Sequence, residues 1–414
     1  MANTAMPQQV FDIAIVGGGL VGASLAAALR GSHHKVLLVE AFAPDSAAQP
    51  SFDERTTALG NASRRIFEGL GVWQALLPQA AAITRIHVSD AGRFGTALLV
   101  AEALDVAALG YVVPNRAIGH ALWQSLAGAA NLSCAMPARL ETVTLQEDCA
   151  LVGIVDAQGR SEARARLVIA ADGVHSQVRA AARIGMQTHD YGQHAIVAAL
   201  RTDRSNDGTA FERFTAAGPM ALLPLTVPGA AGWRTLVWAA RPEDARRLMA
   251  LEPESFLASW QQAFGWRAGR ALQLGPRNVY PLALSRADAS HAPRVALIGN
   301  AAQAQHPVAG QGFNLGLRDA AELAERLLIH RGDPGDPALL AGFAAAREAD
   351  RRGVMQFTDT LVRAFSDQRH GVGALRDAGL LFFDLLPPAK RLLSRVSLGF
   401  GGSSPRLARG AGLP

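Results

Sequence analysis

At 414 residues, 49% of them hydrophobic, the chain can bury a sizeable core as one large domain or two closely joined ones, which excludes disorder as the default state. Forty basic against 35 acidic residues leave a net charge of only +5, and with three tyrosines and no basic run interleaved with aromatics, nucleic acid is excluded as a partner. Cys134 and Cys149 have no C-x-x-C or histidine-spaced partners, which excludes a disulfide framework and a zinc site and fits a reducing, cytoplasmic compartment.

In chain order, the N-terminal segment lacks a basic n-region and its apolar run breaks at three glycines, so it reads as a buried strand, not a signal peptide or a membrane span. The spacing predicts a strand over 12–16, a turn at Gly17-Gly18-Gly19 and an alanine-rich helix over 20–30. KVLLVE at 35–40 is a second continuous apolar strand and completes a βαβ unit of parallel type. Alternating patterns over 83–99 and 195–240 predict antiparallel strands with one wet face, inserted as a second layer. Two further strands end at Asp172 (RLVIAAD) and Asn300 (RVALIGN), the second followed by a glycine-punctuated loop and a helix over LGLRDAAELAERLL. The last fifty residues read as helical and partly amphipathic, and GLLFFDLLPPAKRLL is too short and too interrupted to cross a bilayer.

Gly17, Gly19 and Gly22 form G-x-G-x-x-G between a strand and a helix, where absent side chains let backbone N–H groups and the helix dipole reach a pyrophosphate. Glu40, about twenty residues on at the tip of the second strand, stands where a carboxylate accepts ribose hydroxyls and disfavours a 2′-phosphate. The bland alternatives are a tight turn without a ligand and a solvated strand end, but the position and residue type together point to a bound dinucleotide.

Downstream, ADGVHSQVR at 171–179 and GNAAQAQHPVAGQGFNLGLRD at 299–319 supply a D-G motif and a G-D-like motif. With these in order, the chain resembles the flavoprotein aromatic hydroxylases of the para-hydroxybenzoate hydroxylase fold over essentially its whole length. DERTTALG (53–60), FERFTAAGPMALLPL (211–225), VYPLAL (279–284), HPVAGQGFNLGLRD (306–319) and the closing SPRLARG make it similar to the ubiquinone-biosynthesis hydroxylases of the 2-polyprenyl-6-methoxyphenol hydroxylase type.

The resemblance implies an α/β fold: a Rossmann-like FAD-binding domain with an inserted, mostly antiparallel β-sheet substrate domain and C-terminal helices. The boundaries expected are 1–75, 105–182 and 285–360 for the FAD-binding domain, 76–104 and 183–284 for the substrate domain, and 361–414 for the helical segment. It implies that Gly17, Gly19, Gly22 and Glu40 hold the ADP half of FAD, that Arg55 lies near the flavin ring and that Arg116 reaches the middle of the cofactor. Asp172 and Gly173 would lie near the pyrophosphate, and Asn300 would replace the usual aspartate toward the ribitol, accepting the same hydrogen bond without charge. Pro307, Gly310 and Gln311, with Gly312 and Asn314, would border the isoalloxazine at a helix N-terminus that favours negative charge on the reduced ring. Arg116 and Arg179 fit structural salt bridges equally well from spacing alone. His306 titrates near neutrality but is not needed as a base, and no hydrolytic constellation competes.

The activity implied is hydroxylation of a polyprenylated phenol with FAD, transient NAD(P)H and O2, since no second G-x-G-x-x-G appears. Other quinone-biosynthesis proteins are expected as partners. The apolar stretch with Phe382, Phe383, Leu385 and Leu386 is expected either to meet the inner membrane surface or to be buried in a helical core. The cofactor motifs would be shared by a hydroxylase of a soluble aromatic, and Asn300 and Gln303 leave open a flavin-poor assembly subunit.

Overall fold

The computed structural model describes residues 9–46, 49, 51–53, 55–92, 96–215, 218–304, 311–366 and 404–414, without the side chains of 9, 311 and 354–366. Its first strand, Gln9–Val16, pairs in parallel with Val36–Val39 on one edge and Gly159–Ala170 on the other. Leu132–Ala135 and Val295–Leu297 extend the parallel sheet outward to five strands. The continuous apolar runs seen in the sequence have the reason expected of parallel strands, since both faces are covered. Ile13 and Ile15 pack toward the helices Leu20–Leu29, Asn115–Leu126 and Gln311–Ile329, through Leu25, Ile118 and Leu317. Ala14 and Val16 pack on the opposite face with Val152, Val168 and Val178. Each fully buried Ile or Val of this kind contributes about 1.5–3 kcal/mol.

A second sheet of eight strands carries the middle of the chain, in the order Thr96–Val100, Arg85–Asp90, Thr209–Thr215, Gly218–Pro224, Trp233–Ala240, Met186–Thr202, Ala271–Ala287, Gln303–Ala304. It is antiparallel except where Arg85–Asp90 runs parallel to Thr209–Thr215. The helices Pro242–Met249 and Pro253–Phe264 cover one face, burying Leu236, Trp238, Phe256 and Trp260. The opposite face bears Ala195, Val197, Val237, Ala239 and Leu282 and turns toward the parallel sheet's half of the molecule. Two contacts define that direction: the Thr56 hydroxyl donates to the Thr235 hydroxyl at 3.0 Å, and the Arg55 guanidinium lies 4.9 Å from the centre of the Tyr280 ring. The architecture is thus the expected α/β layer with an inserted, mostly antiparallel sheet.

At the C-terminal end, Pro337–Ser366 is one long helix. The SPRLARG segment is not helical in the α sense; it makes a 3₁₀ turn at Leu407–Arg409 and docks on the helix Asn61–Gly69. Leu407 fills the space over Gly69 so closely that a Cβ there would come within 2.4 Å of its side chain. The stretch containing Phe382, Phe383, Leu385 and Leu386 lies outside the described residues.

Candidate active site

The glycine turn is built by close packing. A Cβ on Gly22 would lie 1.9 Å from the Gly17 carbonyl oxygen, so no other residue fits without moving the first helical turn off the strand. Gly17 has φ +99°, and a Cβ there would meet the Ala171 carbonyl at 2.5 Å. The helix that follows starts at Leu20 with no acidic residue in its own first turn.

Glu40 is buried and faces this turn. Its Oε2 accepts from the Gly18 N–H at 2.5 Å, while Oε1 accepts from the Phe42 N–H at 2.9 Å and Gln49 Nε2 at 3.2 Å. The carboxylate therefore braces the loop as well as marking the end of the strand. Trp123 closes the other side, donating its indole N–H to the Gly18 carbonyl at 3.0 Å. Neither Gln49 nor Trp123 carries a motif, and sequence reading passed over both; Trp123 could have been noticed only as an aromatic on the face of the helix Asn115–Leu126.

Arg55 and Arg116 are brought together through one aspartate. Arg55 Nε pairs with Asp53 Oδ2 at 2.5 Å, and the Arg116 N–H donates to the Asp53 carbonyl at 3.3 Å. The Arg116 side chain is exposed at the first turn of its helix, while Arg55 stacks on Tyr280 across the cleft between the sheets.

Asp172 follows the strand Gly159–Ala170 directly beside Gly17. Its Oδ2 accepts from the Gln177 and Val178 N–H groups at 2.8 and 3.3 Å. Its buried Oδ1 has no hydrogen-bond partner among the described residues, and burial holds the carboxyl above its ordinary range. Gly173 takes φ +85°. Arg179 forms no salt bridge among the described residues; it donates to the carbonyls of Ala301 at 3.1 Å and Val174 at 2.8 Å, tying this loop to the turn that carries Asn300.

Asn300 is exposed at the end of the outer parallel strand, within the turn Gly299–Ala301. That turn rests on a buried charge cluster that sequence reading did not anticipate. Asp319 Oδ2 accepts from Gln303 Nε2 at 2.7 Å and from the Gly299 N–H at 3.3 Å, and its Oδ1 pairs with Arg347 Nε at 2.8 Å and Arg351 Nη2 at 3.2 Å. Asp350 pairs with Arg318 Nε at 2.8 Å and Arg347 Nη2 at 2.6 Å. Burial opposes both carboxylates, yet Arg351 and Arg347 hold Asp319, and Arg318 and Arg347 hold Asp350, below the ordinary carboxylate range. Only the positions of Arg318 and Asp319, and of Arg347, Asp350 and Arg351, on adjoining turns of two facing helices hint at it.

Asn314 has a different surrounding from the one expected. Its Oδ1 accepts from the Gly60 N–H at 2.9 Å and the Ser63 hydroxyl at 2.6 Å, and its Nδ2 donates to the Ala58 carbonyl at 2.8 Å, so the side chain fastens the helix Gln311–Ile329 to the strand Thr56–Gly60. Gln311 and Gly312 open that helix, which begins four residues before the LGLRDAAELAERLL segment expected to be helical. His306, Pro307 and Gly310 lie outside the described residues.

The cradle fits a flavin dinucleotide: a turn in which a Cβ at Gly17 or Gly22 would strike backbone, a helix N-terminus with no acidic residue in its first turn, and a buried Asp172 oxygen without a partner among the described residues. A parallel sheet with a glycine-turn cradle, beside a second sheet whose apolar side faces it, is the arrangement of a flavoprotein oxidoreductase, and the comparisons with known proteins agree. The FAD binding domain family matches residues 10–358. The chain is 38% identical to ubiquinone hydroxylase UbiL of Rhodospirillum rubrum over 99% of its own length and 95% of the relative's. It is 31% identical to the 3-demethoxyubiquinol 3-hydroxylase of Escherichia coli, covering 95% of this chain and 100% of that one. It is 30% identical to the human ubiquinone biosynthesis monooxygenase COQ6, covering 93% and 92%. Among solved structures, p-nitrophenol 4-monooxygenase PnpA from Pseudomonas putida superposes with a TM-score of 0.80 at 18% identity, over 96% of this chain and 100% of that one. The chain belongs to the FAD-dependent hydroxylases of ubiquinone biosynthesis.

Proposed function

We propose that this enzyme hydroxylates the aromatic ring of a polyprenylated phenol, with FAD bound and NAD(P)H as a transient co-substrate. The observation that carries the reading is the apolar face of Ala195, Val197, Val237, Ala239 and Leu282, set against the nucleotide-binding half by Thr56–Thr235 and Arg55–Tyr280. Such a face suits a ring with a hydrocarbon tail and keeps water from the reacting atoms. Bound FAD supplies electron transfer from NAD(P)H to O2, of which one atom enters the ring and the other leaves as water.

The chain's own residues bind and orient. Gly17, Gly19 and Gly22 admit the pyrophosphate to backbone N–H groups at the positive end of the helix Leu20–Leu29, and Glu40 takes the ribose hydroxyls. Asp172 and Gly173 close over the pyrophosphate from the neighbouring strand end, Asn300 meets the ribitol, and Arg55 flanks the ring system from the substrate side. Arg116, exposed beside Asp53, reaches the middle of the cofactor, and Gly310, Gln311 and Gly312 offer N–H groups to its ring edge. The division into a discontinuous FAD-binding domain and an inserted substrate domain follows from these roles.

Among the described residues no helix is long and apolar enough to cross a membrane. We infer attachment at a membrane surface from the substrate's tail, whose solubility demands a bilayer. The test is twofold: the purified yellow protein should couple NAD(P)H oxidation and O2 uptake to ring hydroxylation of 2-prenylphenol, and removing the gene should lower ubiquinone and accumulate one deoxy intermediate. Uncoupled oxidation with every prenylated phenol, together with normal ubiquinone, would refute the proposal.

A further inference from the structure

We propose that Glu212 is a catalytic carboxylate of this site, taking the hydrogen bond and, in the reaction, the proton of the hydroxyl on the substrate ring. The inference rests on the phenol-hydroxylase reading above and adds to it a residue that no cofactor motif contains.

The argument begins with strand alternation. In Thr209–Thr215, Phe211 and Arg213 point to the helix-covered face: Phe211 meets Phe264 edge-on at 5.8 Å between ring centres, and Arg213 Nε donates to the Ala263 carbonyl at 3.3 Å. Glu212 between them therefore projects from the other face, the one turned to the nucleotide-binding half. Register confirms the side. Glu212 stands opposite Ala221, Ala221 opposite Val237, Val237 opposite Val197, and Val197 opposite Asn278. The next row in one direction contains Thr235, which bonds Thr56, and the next in the other contains Tyr280, on which Arg55 stacks. Glu212 thus lies in a row between the two contacts that bring the sheets together.

Its described neighbours within the sheet are apolar: Val88 lies opposite it on the parallel neighbour and Ala221 on the antiparallel one. The helix Pro337–Ser366 also packs on this strand and on Gly218–Pro224. Glu212 is half-buried and has no hydrogen bond or ion pair among the described residues. Burial alone pushes its carboxyl up to about 7. A partly buried carboxylate beside alanine and valine, with no partner among the described residues, is a group for which a ligand hydroxyl in the cleft can supply one. A titration near neutrality is also what a general base at working pH needs.

The step balances within the parent reaction. As oxygen bonds to the ring carbon, the ring hydroxyl passes its proton to Glu212 and its electron pair moves into the ring. The tetrahedral carbon then loses its hydrogen as a proton to solvent, aromaticity returns, and the ring oxygen recovers its proton from Glu212. The carboxylate ends as it began; O2 and NAD(P)H supply the oxygen atom and the electrons.

The experiment uses the FAD-loaded enzyme, with 2-prenylphenol and its methyl ether titrated against the flavin absorbance. Wild type is expected to bind the phenol about 10–100-fold more tightly than the ether, and Glu212→Leu to lose that preference. Glu212→Gln is expected to reduce FAD with NAD(P)H within about twofold of wild type while ring hydroxylation falls at least about 100-fold. The assignment is overturned if Glu212→Leu discriminates as wild type does, if Glu212→Gln hydroxylates at the wild-type rate, or if either variant fails to fold or hold FAD, which would make the residue structural. Should wild type bind the phenol but not hydroxylate it, the functional reading falls while the binding preference still decides for or against Glu212; should it bind neither compound, both fall.

Discussion

Replacing Arg347 by methionine tests whether the buried charge cluster holds the cofactor-side turn in place. Arg347 is fully buried and spans two carboxylates, at 2.8 Å to Asp319 and 2.6 Å to Asp350. Methionine keeps most of the volume but leaves Asp319 with Arg351 at 3.2 Å and Asp350 with Arg318 at 2.8 Å. Two charge-assisted bonds at about 1.5–3 kcal/mol each, lost from a fully buried site, predict a loss of about 3–5 kcal/mol in urea unfolding at pH 7. The acid dependence follows from the direction of the shifts. Asp319 and Asp350 titrate below their ordinary value, so their contribution is complete above about pH 4 and fades as pH falls through their folded-state values. Without Arg347 those values rise, and the gap between the two proteins should narrow as pH falls below about 4. Because Asp319 bonds the Gly299 N–H and Gln303, the variant should also release FAD more readily in a fluorescence titration. A loss below about 1 kcal/mol at pH 7, or a gap that does not narrow with acid, would refute the reasoning.

Gly22→Ala should yield folded but colourless protein, because its methyl would have to displace the Gly17 carbonyl at 1.9 Å; flavin absorbance after purification measures this. Glu40→Gln should raise the dissociation constant for FAD about 10–100-fold, the cost of a charge-assisted bond of about 1.5–3 kcal/mol, read by quenching of flavin fluorescence. Asn314→Ala leaves the Gly60 N–H and the Ala58 carbonyl without their partner and should cost about 1–3 kcal/mol per buried group in chemical unfolding, with FAD affinity falling as the helix Gln311–Ile329 shifts. Glu212→Gln should behave in the opposite sense. With its folded-state titration raised from 4.5 to about 7, wild type gives up as much as about 3 kcal/mol as pH rises from about 4.5 to 7, so the variant should be the more stable protein at pH 8 and equal at pH 4.

Local spacing carried the nucleotide-binding half. The apolar strands over 12–16 and 35–40, the three glycines and Glu40 are close in sequence and close in space, because a βαβ unit is made of neighbours along the chain. Alternation over 83–99 and 195–240 showed the inserted sheet, and resemblance in longer stretches then supplied the flavin and the chemistry. What sequence could not supply are the relations between distant segments: Trp123 on the Gly18 carbonyl, Arg55 on Tyr280, Thr56 on Thr235, and the meeting of Asp319 with Arg347 and Arg351 under the turn of Asn300. Asn314 shows the limit from the other side, since its place in a flavin-loop motif suggested the cofactor while its side chain is spent on Ala58, Gly60 and Ser63. Glu212 is the plainest case. In FERFTAAGPM it is one charge beside another, and only strand register decides that Arg213 meets the helices while Glu212 faces the cleft, because neighbouring side chains on a strand point to opposite faces and only the packed fold determines what covers each.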